Sequence, residues 1–183
     1  MTEKAKYFLA IIPPEPVLDK VNQIKEHFKT TYNCKAALRS PAHITLHMPF
    51  TWKEKKEGEM IDILARASKN YKPFKIHLQN YAAFPPRVIY INVKPNEYLI
   101  EMQKDLEGVA KRELNLFNAN RLDYPYHPHM TVAFRDLKKD LFKLAWDEFE
   151  SKQYAPSFEV NAFTLLKHDG KEWKQLKQFD FEI

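Results

Sequence analysis

One order of elements is read twice along this chain, and that repetition limits the folds open to it. Tyr7-Phe8-Leu9-Ala10-Ile11-Ile12 is an apolar run of strand length, stopped by Pro13-Pro14. From Glu15 to about Thr31, Val17, Val21, Ile24 and Phe28 recur at helical spacing. The stretch from Pro41 to Phe50, PAHITLHMPF, then alternates as a strand. A second helix is expected over Lys53 to Asn70, with Met60, Ile61, Leu64 and Ala67 on one face. Phe74 to Ala83 alternates again, Phe84-Pro85-Pro86 turns, and Arg87 to Val93 is another strand. Val88 to Val93 is stopped near Pro95, as the first strand is at Pro13. A helix follows from Asn96 to about Leu116, carrying Leu99, Met102, Leu106, Val109 and Ala110. A polar, proline-containing stretch leads to His129-Met130-Thr131-Val132-Ala133-Phe134, then a helix over about Lys138 to Glu150 with Leu141, Ala145 and Phe149. A strand from Ser157 to Leu166, a turn at His168-Asp169-Gly170 and a strand from Glu172 to Phe181 complete the pattern.

Three landmarks keep nearly one offset between the halves. Pro13 and Pro95 lie 82 residues apart, His43 and His129 lie 86 apart, and Phe74 and Phe158 lie 84 apart. That is expected of an internal duplication in which Arg87 to Val93 serves both copies, so residues 1–183 are read as one interlocked domain. The fold class expected is α+β. Two pseudo-symmetric lobes, each an antiparallel sheet with helices outside, face each other across a central cleft.

Composition narrows the chemistry. Hydrophobic residues make up 44% and aromatics 14%, enough to build a core. Three glycines in 183 residues, with no G-x-G-x-x-G and no P-loop, exclude a glycine-rich phosphate cradle, so any phosphate is held by side chains. Cys34, the single cysteine, excludes a disulfide framework and a zinc site of several thiolates. No apolar run approaches the roughly 18 residues of a membrane span, and the polar start resembles no signal peptide. A cytoplasmic monomer without membrane attachment or obligate protein partner is expected. The formal charge of +5 is compatible with an anionic ligand.

The two alternating motifs carry the functional signal. Side chains at i and i+2 on a strand project together, about 6.6 Å apart. His43 and Thr45 therefore share a face, as do His129 and Thr131, opposite Ile44, Leu46 and Met48 on one strand and Met130, Val132 and Phe134 on the other. Two such polar faces turned to one wet cleft avoid the cost of burying them unpaired. An imidazole titrates near pH 6.5, so one histidine can take a proton from an attacking oxygen while the other gives one to a leaving oxygen. The threonine hydroxyls can hold the non-bridging oxygens of a phosphate. His47 and His127 share the cleft-facing parity and, with Arg135 and Tyr126, are the candidates for the substrate rim. Arg39, Arg87 and Arg121 are further candidates for phosphates, and Phe50, Phe84 and Tyr124 for base stacking. No carboxylate sits inside the motifs, Asp123 and Asp136 being nearest the second, so neither metal nor cofactor is expected.

His43-Ile44-Thr45-Leu46 and His129-Met130-Thr131-Val132 resemble the paired H-x-T/S-x motifs of the two-histidine (2H) phosphoesterase superfamily. The nearest group is the 2′-5′ RNA ligase-like proteins, which include RNA 2′,3′-cyclic phosphodiesterases. Tyr7 to Pro14 is similar to that family's opening strand, Phe84-Pro85-Pro86-Arg87 to the turn before its central strand, and Pro128 to Ala133 to its second motif. The resemblance implies a bilobal fold and metal-independent phosphodiester chemistry, with catalysis by His43 and His129 and phosphate binding by Thr45 and Thr131. It implies RNA ends or small nucleotide cyclic phosphates as substrates. Ligation through a 2′-5′ bond, or nucleotide binding without turnover, is the alternative use of the same cleft. His47-Met48-Pro49-Phe50 departs from the family, which more often ends that motif in a Phe-Leu-Gly type sequence.

Overall fold

The computed structural model describes residues 3–119 and 124–182. Eight strands and four α-helices follow one another as β1 (Lys4–Ile11), α1 (Val17–Tyr32), β2 (Ile44–Lys53), α2 (Glu57–Ser68), β3 (Phe74–Phe84), β4 (Val88–Val93), α3 (Glu97–Leu114), β5 (His129–Ala133), α4 (Lys139–Phe149), β6 (Ser157–Val160), β7 (Ala162–His168) and β8 (Trp173–Asp180). They form two four-stranded antiparallel sheets, ordered β2-β1-β7-β8 and β5-β4-β3-β6. The α+β class and the two-sheet architecture agree with the sequence reading. No helix among the described residues is long and apolar enough to cross a membrane.

The motif strands β2 and β5 are each the edge of their sheet, and they lie against one another. The helices carry apolar stripes that explain their placement. Val17, Val21, Ile24 and Phe28 of α1 are buried, as are Leu99, Met102, Leu106 and Val109 of α3. Burying each such side chain stabilises the fold by roughly 1.5–3 kcal/mol. Each helix packs beside the motif strand of the other sheet, α1 against β5 and α3 against β2. The sheets are thereby locked together. Phe28 stacks on Phe149 of α4, with ring centroids 4.8 Å apart. Helices α1 and α3 both end on an asparagine in the left-handed region, Asn33 (φ 51°) and Asn115 (φ 53°). The short polar side chain tolerates that conformation. The spacing of these two asparagines equals that of Pro13 and Pro95.

Two element boundaries differ from the sequence reading. Ser157 to Leu166 is not one strand. Asn161 separates β6, paired with β3, from β7, paired with β1, so the chain passes from one sheet to the other there. The charged start of the second helix, Glu54–Lys56, is a 3-10 turn that follows a longer β2.

Candidate active site

His43 sits one residue before β2, and His129 opens β5. Their rings are oriented alike. His43 Nδ1 lies 2.8 Å from the carbonyl oxygen of Pro41, and His129 Nδ1 lies 2.7 Å from that of His127, in each case two residues back. A carbonyl can only accept, so Nδ1 carries the proton in both rings. Each Nε2 is then the basic nitrogen of a neutral imidazole. The rings are steadied by aromatic neighbours: His43 by Phe8 at 4.9 Å between centroids, His129 by Tyr90 at 5.0 Å and Phe84 at 5.5 Å.

The two motif strands share a bulge at one position. On β1, the neighbours Leu9 and Ala10 pair with His47 and Thr45; on β4, Ile89 and Tyr90 pair with Ala133 and Thr131. In each case two residues of the motif strand stand against one of its partner. An extra residue shifts the alternation by one. Thr45 and Thr131 stay on the half-buried face with the histidines, whereas His47 and Ala133 turn into the core.

His47 is therefore not a rim residue. It is 1% exposed, its Nδ1 meets the Met48 carbonyl oxygen at 2.7 Å, and its ring packs edge-on to Phe50 at 5.1 Å. Its Nε2 is buried without a hydrogen-bond partner, and burial lowers its pKa. Met48 takes the outward place that alternation gave to His47. Phe50 is likewise core, not a stacking surface. We expect His47→Leu to change turnover by less than about threefold and to keep or raise stability, since it removes an unsatisfied buried nitrogen. Steady-state kinetics and a denaturant midpoint check this. A loss of turnover comparable to that of a His43 variant would return His47 to the site.

Several contacts join the motifs. The Tyr126 hydroxyl, from the segment before β5, donates to the Thr45 carbonyl oxygen at 2.9 Å. Gln103 of α3 donates to the Leu46 carbonyl oxygen at 3.2 Å, and the Met48 amide donates to the Ala119 carbonyl oxygen at 2.9 Å. A recess of about 690 Å³ is lined by Thr45 and His129, with Met48, Phe84, Tyr124, Tyr126 and His127; His43 and Thr131 do not line it. Tyr126 thus acts inward as a bridge. His127 is exposed at the lip, its ring 5.7 Å from that of Phe84. Arg135 is exposed, lies over Phe134 at 5.2 Å and does not line the recess. Arg39 and Arg87 are also exposed. Arg121 and Asp123 lie outside the described residues.

The electrostatics set both imidazoles neutral at pH 7. Burial pushes the His43 pKa down to about 4, helped by the charges of Lys25 and His129 and opposed by the Pro41 carbonyl. Burial also lowers that of His129, with the charge of His127 acting the same way. Strands β2 and β5 lie against one another, which brings the two motifs to the same junction between the sheets. Lys25 is a feature the sequence reading did not single out. It is 1% exposed, donates from Nζ to the Ser40 carbonyl oxygen at 3.0 Å, and burial lowers its pKa to about 8. A signal for it exists: Val21, Lys25 and Phe28 stand at i, i+4 and i+7, so a lysine occupies a core position of α1. Cys34 is buried against Asp136, its Sγ 3.1 Å from Oδ1, and its thiol is pushed up to about 12 by burial and that carboxylate. Among the described residues, no three His, Cys, Asp or Glu side chains converge as metal ligands would.

Known proteins resemble this chain over most of its length. Residues 13–172 match the family model described as the 2′-5′ RNA ligase superfamily. A protein of Oceanobacillus iheyensis named as a candidate phosphoesterase is 27% identical over 182 residues, covering 95% of this chain and 96% of its own. A similarly named protein of a Geobacillus species is 28% identical over 164 residues, covering 88% of this chain and 87% of its own. Among solved structures, TT0787 of Thermus thermophilus superposes with a TM-score of 0.68 at 18% identity, covering 96% of this chain and 97% of its own. LigT of E. coli complexed with 3′-AMP superposes with a TM-score of 0.67 at 20% identity, covering 99% of this chain and 100% of its own.

Proposed function

Because the chain belongs to the 2′-5′ RNA ligase superfamily, we propose that it is a metal-independent phosphodiesterase acting on 2′,3′-cyclic phosphates or 2′-5′ linkages of RNA ends or small nucleotides. The observation that carries this reading is the matched pair of imidazoles. Each has Nδ1 tied to the carbonyl two residues back, which leaves Nε2 as the working nitrogen, and each has a threonine two residues on, half-buried as it is. The 3′-AMP held by LigT fits a ribose phosphate as the class of ligand.

The reaction is an in-line displacement at phosphorus. His43 Nε2, kept neutral by burial, takes a proton from water as its oxygen bonds to phosphorus. The phosphorus–oxygen bond to the ribose breaks, and His129, entering as the imidazolium, protonates the departing oxygen. The hydroxyls of Thr45 and Thr131 donate to the non-bridging oxygens as charge builds on them. The nucleotide's own anion brings a negative charge that favours His129 in its protonated form. Ligation is the same displacement on a cyclic phosphate with a ribose hydroxyl in place of water: its oxygen bonds to phosphorus, one ring P–O bond breaks, and the departing ribose oxygen takes the proton.

In the free enzyme, catalysis needs His43 neutral and His129 charged. Rate is lost as pH falls through about 4, where His43 protonates, and as pH rises through the lowered value of His129. The profile of kcat/KM is expected to be a bell with its maximum below about pH 6.5, and the limbs of kcat should lie higher because bound phosphodiester favours imidazolium. Initial rates on a 2′,3′-cyclic nucleotide in the presence of EDTA test both the activity and its profile. No turnover of cyclic or 2′-5′ substrates, or a rate that climbs steadily through alkaline pH, contradicts the proposal.

A further inference from the structure

A second recess, of about 750 Å³, lies on the other side of the first motif. It opens between α1, the loop before His43 and the start of β8. Its place in the fold is not arbitrary. Leu38, Ser40 and Pro41 line it just before motif one, as Tyr124, Tyr126 and His127 line the first recess just before motif two, at the 86-residue offset of the two histidines. Trp173 reaches it from the β7–β8 hairpin, as Phe84 reaches the first recess from the β3–β4 hairpin. Trp173 also packs edge-on to Phe8 at 4.7 Å, and Phe8 packs against His43. The recess is thus tied to the site through an aromatic relay.

We propose that this recess is a second nucleoside subsite, so that a 2′-5′-linked dinucleoside monophosphate spans the cleft with one nucleoside in each recess. The inference rests on the phosphodiesterase reading and adds the size and charge of its substrate. A scissile phosphate between His43 and His129 carries a nucleoside on both sides, and the residues just before each motif line a recess. The two differ in character. The first is aromatic. The second offers one indole, the neutral hydrogen-bonding groups of Asn22, Gln23 and Ser40, and three carboxylates, Asp19, Glu26 and Glu172, of which Glu26 is paired with Lys29 and Glu172 with Lys174. Carboxylates repel a continuing phosphate chain and accept from the amino and hydroxyl groups of a nucleoside. A short substrate with an uncharged end suits the recess, and a polynucleotide strand does not.

The test compares Trp173→Ala and Trp173→Phe with the unaltered protein on two substrates. A 2′,3′-cyclic mononucleotide fills only the aromatic recess; a 2′-5′ dinucleoside monophosphate fills both. Loss of one stacking partner is expected to raise KM for the dinucleoside about tenfold in Trp173→Ala, to leave the cyclic mononucleotide within about twofold, and to be largely restored in Trp173→Phe. In parallel, the indole N–H resonance of Trp173, assigned from its disappearance in Trp173→Phe, should shift on adding the dinucleoside and not the mononucleotide. Equal effects on both substrates, no effect on either, or an unmoved indole resonance overturns the subsite. If the unaltered protein turns over neither substrate, the phosphodiesterase reading fails, and the indole titration still decides the recess by itself.

Discussion

Replacing His43 or His129 by alanine is expected to lower kcat/KM on a 2′,3′-cyclic nucleotide by roughly 10²–10⁴-fold each, the usual worth of a positioned acid or base. The double variant should be little worse than the poorer single one, because the two groups act in one step and neither works without the other. Both rings pack on aromatic neighbours, Phe8 for His43 and Tyr90 and Phe84 for His129, so a loss of folding must be separated from a loss of chemistry. Asparagine variants do this, since the side-chain amide can still donate to the Pro41 or His127 carbonyl while providing no titratable nitrogen. Unchanged circular dichroism with lost turnover supports both histidines as participants in the chemistry, and which limb of the pH–rate profile each variant removes tells base from acid. Turnover near that of the unaltered protein in either alanine variant removes that histidine from the chemistry.

Thr45→Val and Thr131→Val should each lower kcat by about 10²-fold, with little change in KM. Valine keeps the β-branched shape that suits a strand and removes only the hydroxyl. The two positions occupy one register: Thr45 pairs with Ala10 and Thr131 with Tyr90, each one step before the bulge. Similar losses at both are therefore expected, and Thr→Ser should recover most of the rate because a hydroxyl returns on the same face. A Val variant that raises KM and spares kcat would mean that its threonine binds substrate without stabilising the transition state.

How much was legible depended on how local the cause was. The apolar periods of α1 and α3 fixed those helices, and the proline stops and alternating strands located the two motifs. His43, Thr45, His129 and Thr131 lie before the bulges, where simple alternation holds. His47 and Met48 lie beyond one, and there alternation assigns the wrong face; a second shift, between Tyr7 and Leu9 of the partner strand, returns Phe50 to the core. Nothing in PAHITLHMPF marks Leu46 as the extra residue; it is seen only against Leu9 and Ala10 on the neighbouring strand. The passage from β6 to β7 at Asn161 is equally non-local, since Phe158 pairs into one sheet and Leu165 into the other. Lys25 hides in a different way. Its residue type suggests solvent, whereas its position on the helix, shared with Val21 and Phe28, puts it in the core beneath the Ser40–His43 loop. The pairing of recesses emerges only once the hairpin at Trp173 is folded beside the segment from Leu38 to Pro41.

The central claim is that His43 and His129 face one phosphate. A crystal structure of the protein with a 3′-nucleotide or inorganic phosphate tests it most directly. The account predicts one phosphate with the Nε2 atoms of both histidines, and the hydroxyls of Thr45 and Thr131, each about 2.7–3.0 Å from its oxygens. A phosphate bound elsewhere, or one that touches a single motif while the other imidazole points away, contradicts it.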